Sequence, residues 1–262
     1  MATRDTWSRE EHILAFNLYS QIPFGTIHER NPKIQELAKL IGRSVGAVSR
    51  KLANFSRLDP FLQERGIKGL PHGAKGEEEV WKEFAKRPEA LAFESERLLA
   101  EREGKSIEEI AEIETDDLPP SGKERDAIVR VRVNQSFFRR RVLSAYGFRC
   151  CVTGLSTQRL LVASHIVPWA VDPNNRLNPR NGLCLNALHD RAFDSGLMWI
   201  EKGFTIRMSA KLREVTKRSS EVAIRLSSFE GKRLMLPNNF QPDPHLLLKH
   251  AKKWLKLNKT IG

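Results

Sequence analysis

The sequence lacks long apolar segments and has few cysteines. No stretch of about eighteen consecutive apolar residues occurs, so no transmembrane helix is predicted. Residues 1–11 are polar and charged, unlike the apolar centre of a secretory signal peptide. Three cysteines are too few for a disulfide framework. These absences favour a cytoplasmic protein without a membrane partner.

Acidic residues are scarce in the second half of the chain. Residues 126–262 contain 24 Lys and Arg against 9 Asp and Glu, whereas residues 61–125 contain 11 against 17. The basic excess predicts a polyanionic partner, because lysine and arginine contacts to phosphate drive sequence-independent affinity for nucleic acid. A generally basic surface is the alternative interpretation. Charge alone does not choose between DNA, RNA and an acidic protein.

Two short stretches of this basic half carry most of the chemistry. The first is Ser164-His165-Ile166-Val167-Pro168-Trp169, which follows an apolar run, and the second extends from Asn181-Gly182-Leu183 to Phe193-Asp194-Ser195-Gly196. Their pattern predicts a strand, a polar loop, a second strand and a helix. The arrangement resembles the HNH, or ββα-metal, endonuclease motif, in the SHIxPW…NGL…FDxG branch of predicted bacterial restriction endonucleases.

The resemblance implies a role for each polar residue of the motif. His165 would be the general base, because a neutral imidazole has a pKa near the working pH. Asn181 would orient the loop that carries His165 through side-chain hydrogen bonds. Metal ligands would come from the helix, as Asp190 and Asp194 counted by position, with His189 the final histidine of the motif by residue type. Carboxylates favour a hard cation, Mg²⁺ or Mn²⁺.

Ser164 and the cysteines depart from the pattern of the family. Many members carry an acid or a histidine at the position of Ser164, where it binds the metal. A DNA-binding regulator with a degenerate HNH fold is therefore the alternative function. Many members also form a zinc ribbon from paired cysteines, but Cys151 and Cys184 each lack their second cysteine. A structural zinc needs four ligands and is not expected.

The first third of the chain predicts three helices with recognisable ends. Ser8 or Thr6 is placed to cap the first helix, and Asn31 the second, with Pro32 at its first position. Gly42 is placed to end the second helix, and Ser44 to cap the third.

The second and third helices resemble a helix-turn-helix, in which the later helix enters the major groove. Its outward face is predicted to contain Ser44, Ser49, Arg50, Lys51, Asn54 and Arg57. Of these, we expect Ser49, Arg50, Lys51 and Asn54 to contact DNA. A three-helix bundle with a solvated charged face is the alternative. The segment 67–70 is a candidate wing or flanking strand.

The remaining segments are read from periodicity and turn residues. Residues 77–114 predict acidic helix, and 116–122 a linker. Residues 123–149 predict a basic helix in which Arg139 and Arg140 either contact phosphates or serve solubility. A hairpin is expected over 197–208, a turn and strand over 229–236, and a basic amphipathic helix over 244–257.

The sequence thus predicts an α+β protein with two domains. A helical, winged-helix-like recognition domain (1–115) would be joined by the linker (116–122) to an HNH nuclease domain with a basic C-terminal helix (123–262). The expected function is metal-dependent hydrolysis of double-stranded DNA, of restriction type and in one version dependent on modified cytosine. RNA as substrate is disfavoured by the helix-turn-helix pattern. One site cuts one strand, so cutting both would need a homodimer or two successive nicks.

Overall fold

The computed structural model describes residues 6–67, 69, 73–237 and 239–260. The chain divides into two compact units, residues 1–137 and residues 138–262. This division falls inside a long helix, downstream of the predicted linker 116–122, whose role as a domain boundary stays a prediction. No helix in the described ranges combines the length and the apolar character needed to cross a membrane.

The secondary-structure elements in the described residues of unit 1 are all helices. Its helices are α1 (Arg9–Gln21), α2 (Pro32–Ile41), α3 (Val45–Phe55), α4 (Pro60–Glu64), α5 (Lys75–Phe84), α6 (Pro88–Glu103), α7 (Ile107–Ile110) and the first part of α8 (Lys123–Ala145). The candidate wing at 67–70 includes Lys68 and Leu70, which lie outside the described residues. The winged-helix part of the prediction therefore stays untested.

Local signals define the ends of the first three helices. Ser8 caps α1, where its hydroxyl accepts from the backbone of Glu11, and Asn31 and Ser44 cap α2 and α3 in the same way. Gly42 ends α2 in the left-handed conformation with φ 70°, which glycine adopts without steric cost. These predicted ends are confirmed.

The core of unit 1 is an aromatic cluster between α1, α3 and α5. The Phe16 ring lies 5.0 Å from Phe55 and 5.1 Å from Trp81, measured between centroids, and Tyr19 lies 5.8 Å from Phe55. Because these rings join three helices, the cluster fixes α3 against its neighbours.

Unit 2 contains the end of α8 and all the strands of the described residues. Its further elements are β1 (Leu161–His165), β2 (Gly182–Asn186), α9 (Ala187–Asp194), β3 (Met198–Glu201), β4 (Thr205–Met208), α10 (Ala210–Thr216), α11 (Ser220–Arg225) and α12 (Pro244–Thr260). The strands form two antiparallel pairs, β1–β2 and β3–β4. Of the turn and strand predicted over 229–236, the turn at Glu230-Gly231 is present, but a regular strand is not. The segment instead contacts β4 through an isolated bridge, Thr205 to Arg233, with flanking backbone hydrogen bonds such as Leu234 NH to the carbonyl of Phe204 at 2.9 Å.

Helix α9 packs against β1, β2 and β3, so the predicted strand–loop–strand–helix order closes into a small ββα unit. Cys150, Cys151 and Cys184, in β2 and in the segment before β1, are all free and buried. The backbone NH of Cys151 donates to the carbonyl of Cys184 at 2.7 Å. Burial raises the pKa of Cys184 to about 12, so this side chain is a neutral thiol.

Candidate active site in the ββα unit

The end of β1 is packed so closely against α8 that the opposite residue must be glycine. His165 pairs with Gly182 across the hairpin. A Cβ atom on Gly182 would lie 2.4 Å from Val142 Cγ2 and 3.0 Å from Phe138 Cζ, both on α8. The Asn-Gly pair of the motif therefore serves packing: only glycine lets α8 approach the residue beside His165.

The imidazole of His165 is held by two rings and one carbonyl. It stacks on Phe138 with centroids 3.8 Å apart and meets Trp169 edge-on at 5.7 Å. Its Nε2 lies 2.9 Å from the carbonyl oxygen of Arg176. A carbonyl can only accept, so Nε2 carries the proton and Nδ1 carries the lone pair. Burial lowers the pKa of His165, which leaves the ring neutral and able to accept a proton.

Asn181 connects both ends of the loop that follows His165. Its fully buried side chain accepts from the Val167 NH at 2.9 Å and donates to the Val167 carbonyl at 3.0 Å. The same amide donates to the carbonyl of Asn175 at 3.1 Å, next to the residue whose carbonyl holds His165. Asn181 thus makes the side-chain hydrogen bonds that the sequence predicts, and it also fixes the loop beside Arg176.

Asn186 determines how His189 is oriented at the start of α9. Its side-chain oxygen accepts from both the backbone NH and the Nδ1–H of His189, each at 2.9 Å. The lone pair of His189 is therefore on Nε2, which is buried and has no hydrogen-bond partner among the described residues. Burial lowers the pKa of His189 to about 4, so the ring is neutral.

Asp190 and Asp194 lie one turn apart on α9, where their charges interact. Desolvation is the main cause that raises the pKa of Asp194, and the charge of Asp190 raises it further. Arg191 and Lys253 act in the opposite direction. Two carboxylates that repel each other on one helix face are an arrangement that a bound cation would stabilise.

Ser164 precedes the base but points to the other face of β1, since side chains alternate along a strand. It is buried, and its hydroxyl has no partner among the described residues. Two buried polar atoms near the motif, Ser164 Oγ and His189 Nε2, are therefore left without hydrogen bonds. Such atoms are uncommon in folded proteins and call for a physical reason.

The possible metal ligands on α9 suit a weakly bound hard cation better than a site in which the protein supplies every ligand. In the described part of the chain, no group of three or more His, Cys, Asp or Glu side chains is arranged to hold a metal ion. Mg²⁺ commonly keeps several waters and is bound through one or two carboxylates together with substrate phosphates. Asp190 and Asp194 supply such a pair. The unpartnered Nε2 of His189, with Nδ1 fixed by an amide oxygen, has the arrangement typical of an imidazole ligand.

Arg139 and Arg140, predicted to contact DNA, lie on α8 and have structural contacts. The Arg139 guanidinium donates to the carbonyls of Leu161 and Gln158, at 2.8 and 3.4 Å. It therefore stabilises the start of β1. The side chain of Arg140 is half-buried and also has contacts within the protein.

Of the four residues of the α3 outward face that were expected to contact DNA, two are not on that face. Arg50 is exposed and Ser49 is half-buried, but Lys51 and Asn54 are buried. Both donate to the same oxygen of Glu77 on α5, at 2.6 and 2.9 Å. Lys51 and Asn54 therefore hold α3 to α5 and do not lie on an open DNA-reading surface.

Three positions that matter to the site were missed by the sequence-based prediction. Phe138 supports the ring of His165, the carbonyl of Arg176 sets its tautomer, and Asn186 sets that of His189. Only Asn186 had a usable signal, because asparagine directly before a helix is a typical N-cap. A backbone carbonyl and a ring from another element leave no local trace in the sequence.

Comparison with known proteins agrees with the motif. Residues 150–201 match the family model described as HNH endonuclease, a span that includes β1, β2, α9 and β3. A search of curated proteins found no match. The match places an HNH endonuclease domain over residues 150–201, around His165 and α9, and it supports a nuclease.

Proposed function

We propose that the protein is a metal-dependent endonuclease of restriction type that hydrolyses phosphodiester bonds of double-stranded DNA. The observation that carries the proposal is the state of His165. Its Nε2–H is held by the carbonyl of Arg176, so a neutral ring presents Nδ1 as a base at the end of β1. The carboxylates of Asp190 and Asp194 lie on α9, which packs against the same strand.

His165 would accept the proton of the attacking water at Nδ1. The new oxygen–phosphorus bond forms as the bond to the 3′ oxygen breaks, which leaves a 5′-phosphate and a 3′-hydroxyl. The imidazolium that results is stabilised by its Nε2–H bond to the Arg176 carbonyl. Phe138 keeps the ring plane fixed while the charge changes. Asn181 is a positioning residue, since it acts through the loop that carries Arg176.

A divalent cation held by Asp190 and Asp194, with His189 beside them, would supply the charge that stabilises the phosphate and the leaving oxygen. His189 remains neutral because burial lowers its pKa to about 4, so its Nε2 keeps a lone pair throughout the neutral range. Asn186 keeps that nitrogen free by accepting from Nδ1.

Site selection is proposed for unit 1. The supporting observations are the tight turn at Gly42 between α2 and α3 and the exposed Arg50 on α3. Lys51 and Asn54 have no part in this proposal, because Glu77 holds them inside the unit. The proposal is therefore a helix-turn-helix that contacts DNA through fewer residues of α3 than the sequence predicted.

A plasmid-nicking assay tests the function. Supercoiled DNA is incubated with the protein and Mg²⁺ or Mn²⁺, with a chelator control, and the open-circular and linear forms are quantified. We expect metal-dependent nicks, followed by linear product through two successive cuts or a homodimer. Unmodified, methylated and hydroxymethylated phage DNA compared side by side shows whether modified cytosine is required. No cleavage of any DNA with either cation, or equal cleavage of RNA in competition, contradicts the proposal.

A further inference from the structure

Helix α12 lies outside the residues that match the HNH family model, but it is fixed to the same ββα unit. The ring of His250 stacks on Phe193 of α9, with centroids 3.8 Å apart and planes 6° apart. Trp254 donates from its indole NH to Nε2 of His250 at 3.1 Å. A Cβ atom on Gly196 would lie 2.1 Å from the Trp254 ring. Since α12 is seated on α9 and β3, its outer face has a defined place beside the candidate active site.

That outer face is a basic stripe, which we define as Lys249, Lys252, Lys253 and Lys256. The spacing i, i+3, i+4 and i+7 puts all four on one side of the helix, and all four are exposed. Leu247, His250 and Ala251 are buried on the other side. The helix sequence contains no Asp or Glu. Like charges one turn apart destabilise a helix, so an anionic partner would stabilise this arrangement.

The stripe borders both halves of the candidate site. Lys249 Nζ lies 3.8 Å from the carboxylate of Asp172, in the loop between His165 and Asn181. At the next turn, Lys253 Nζ lies 4.5 Å from the centroid of the Trp254 ring, which packs on Gly196 just after the end of α9. Within the described residues, Lys252 and Lys253 form no salt bridge, so no carboxylate of the protein is bonded to either ammonium group.

We propose that the basic stripe of α12 binds backbone phosphates of the DNA strand beside the scissile bond. This inference rests on the proposed function and adds to it a substrate-binding element outside the catalytic motif. The seven helical steps from Lys249 to Lys256 span about 10 Å of helix axis. One strand of a duplex presents about three phosphates over that length. Lysine is suited to such contacts because its point charge needs no particular base or bond geometry.

The test measures DNA binding without cleavage. The affinity of the full chain for a duplex is measured by fluorescence anisotropy over a salt series, with chelator present, for the wild type and for Lys249→Ala/Lys253→Ala. Each phosphate contact contributes about 0.9 to the slope of log affinity against log salt. We expect the double variant to lose about 1.8 of that slope, with an unchanged melting temperature.

Lys211→Ala is the matched control, because Lys211 is an exposed lysine of the same unit on α10. Its salt slope should stay close to that of the wild type. If the double variant and this control have the same slope as the wild type, the stripe does not bind DNA and the inference is wrong. If the wild type neither binds nor cuts DNA, the proposed function itself fails.

A membrane surface is the competing partner for this amphipathic helix. Leu248 and Leu255 are 51% and 40% exposed near the lysines, as they would be in a helix that lies on anionic lipid. Sedimentation with vesicles of phosphatidylserine and phosphatidylcholine therefore accompanies the anisotropy series. Binding to vesicles that the double substitution abolishes, without any change in the DNA salt slope, overturns the proposal in favour of lipid.

Discussion

The buried carboxylate of Glu77 in unit 1 is paired within the protein, whereas the carboxylates of Asp190 and Asp194 at the ββα site of unit 2 each lie beside a like charge. Glu77 accepts from Lys51, Asn54 and the backbone of Ala74. Burial by itself would raise the pKa of Glu77, but hydrogen bonds from Lys51 and Asn54 outweigh it and hold the pKa below its usual range. The carboxylate is thus satisfied by the protein, and what this cluster contributes is the attachment of α3 to α5.

The ββα site has the opposite character. Ser164 Oγ and His189 Nε2 are buried without partners among the described residues, and the carboxylates of Asp190 and Asp194 act against each other. Each buried polar group without a hydrogen bond lowers the free energy of unfolding. A carboxylate paired with cations of the protein, as Glu77 is with Lys51 and Arg57, stabilises the fold. A carboxylate beside a like charge, as Asp194 is, is suited to bind a cation.

The largest expected effect follows from His165→Ala. Loss of the general base should lower the cleavage rate by about 10²- to 10⁴-fold and leave DNA affinity unchanged. Single-turnover nicking and anisotropy measure the two quantities. His245→Ala, at an exposed histidine of unit 2, is the control and should cut at the wild-type rate. Equal rates for His165→Ala and the wild type would remove His165 from the reaction.

Glu77→Leu tests the paired carboxylate of unit 1. Lys51 and Arg57 would lose a shared partner, and a buried unpaired charge typically costs about 3–5 kcal/mol of unfolding free energy. Urea unfolding followed by circular dichroism measures this loss. The double variant Lys51→Met/Glu77→Leu should regain much of the stability, since it removes both charges. A single variant as stable as the wild type would show that the cluster contributes nothing.

Asp190→Asn tests the carboxylates of the ββα site. The substitution keeps the shape of the side chain and removes its charge, so the divalent cation concentration needed for half-maximal cleavage should rise about tenfold or more. Glu221→Gln, which removes a surface charge on α11, should leave that concentration unchanged. Superimposed titration curves for Asp190→Asn and the wild type would exclude Asp190 as a ligand.

The smallest effect concerns acid stability and His250. Burial lowers its pKa to about 4, below the ordinary value of 6.5, so the unfolded chain takes up the proton first as pH falls. The stability due to the neutral ring is complete above pH 6.5 and is lost towards pH 4, by about 3 kcal/mol. His250→Phe keeps a ring on Phe193 and should flatten this pH dependence. Identical urea midpoints against pH for both proteins would contradict the assignment.

Much of the local structure could be read directly from the sequence. Ser8, Asn31 and Ser44 act on backbone groups two or three residues away, so a short window contains both partners of each cap. The strand–loop–strand–helix pattern is similarly local. The same reasoning failed for Lys51 and Asn54, because their hydrogen-bond partner, Glu77, lies more than twenty residues further along the chain. No residue near α3 indicates this pairing.

The caps, the amphipathic helices and the order of residues in the motif follow from the amino-acid sequence, since each depends on groups close together in the chain. Which nitrogen of His165 is the base depends on the folded chain, because the carbonyl that fixes it belongs to Arg176, on the far side of a loop. The tertiary structure alone also places the lysines of α12 beside α9, through the stacking of His250 on Phe193. Such contacts join residues distant in sequence, and their energy depends on packing that no local pattern encodes.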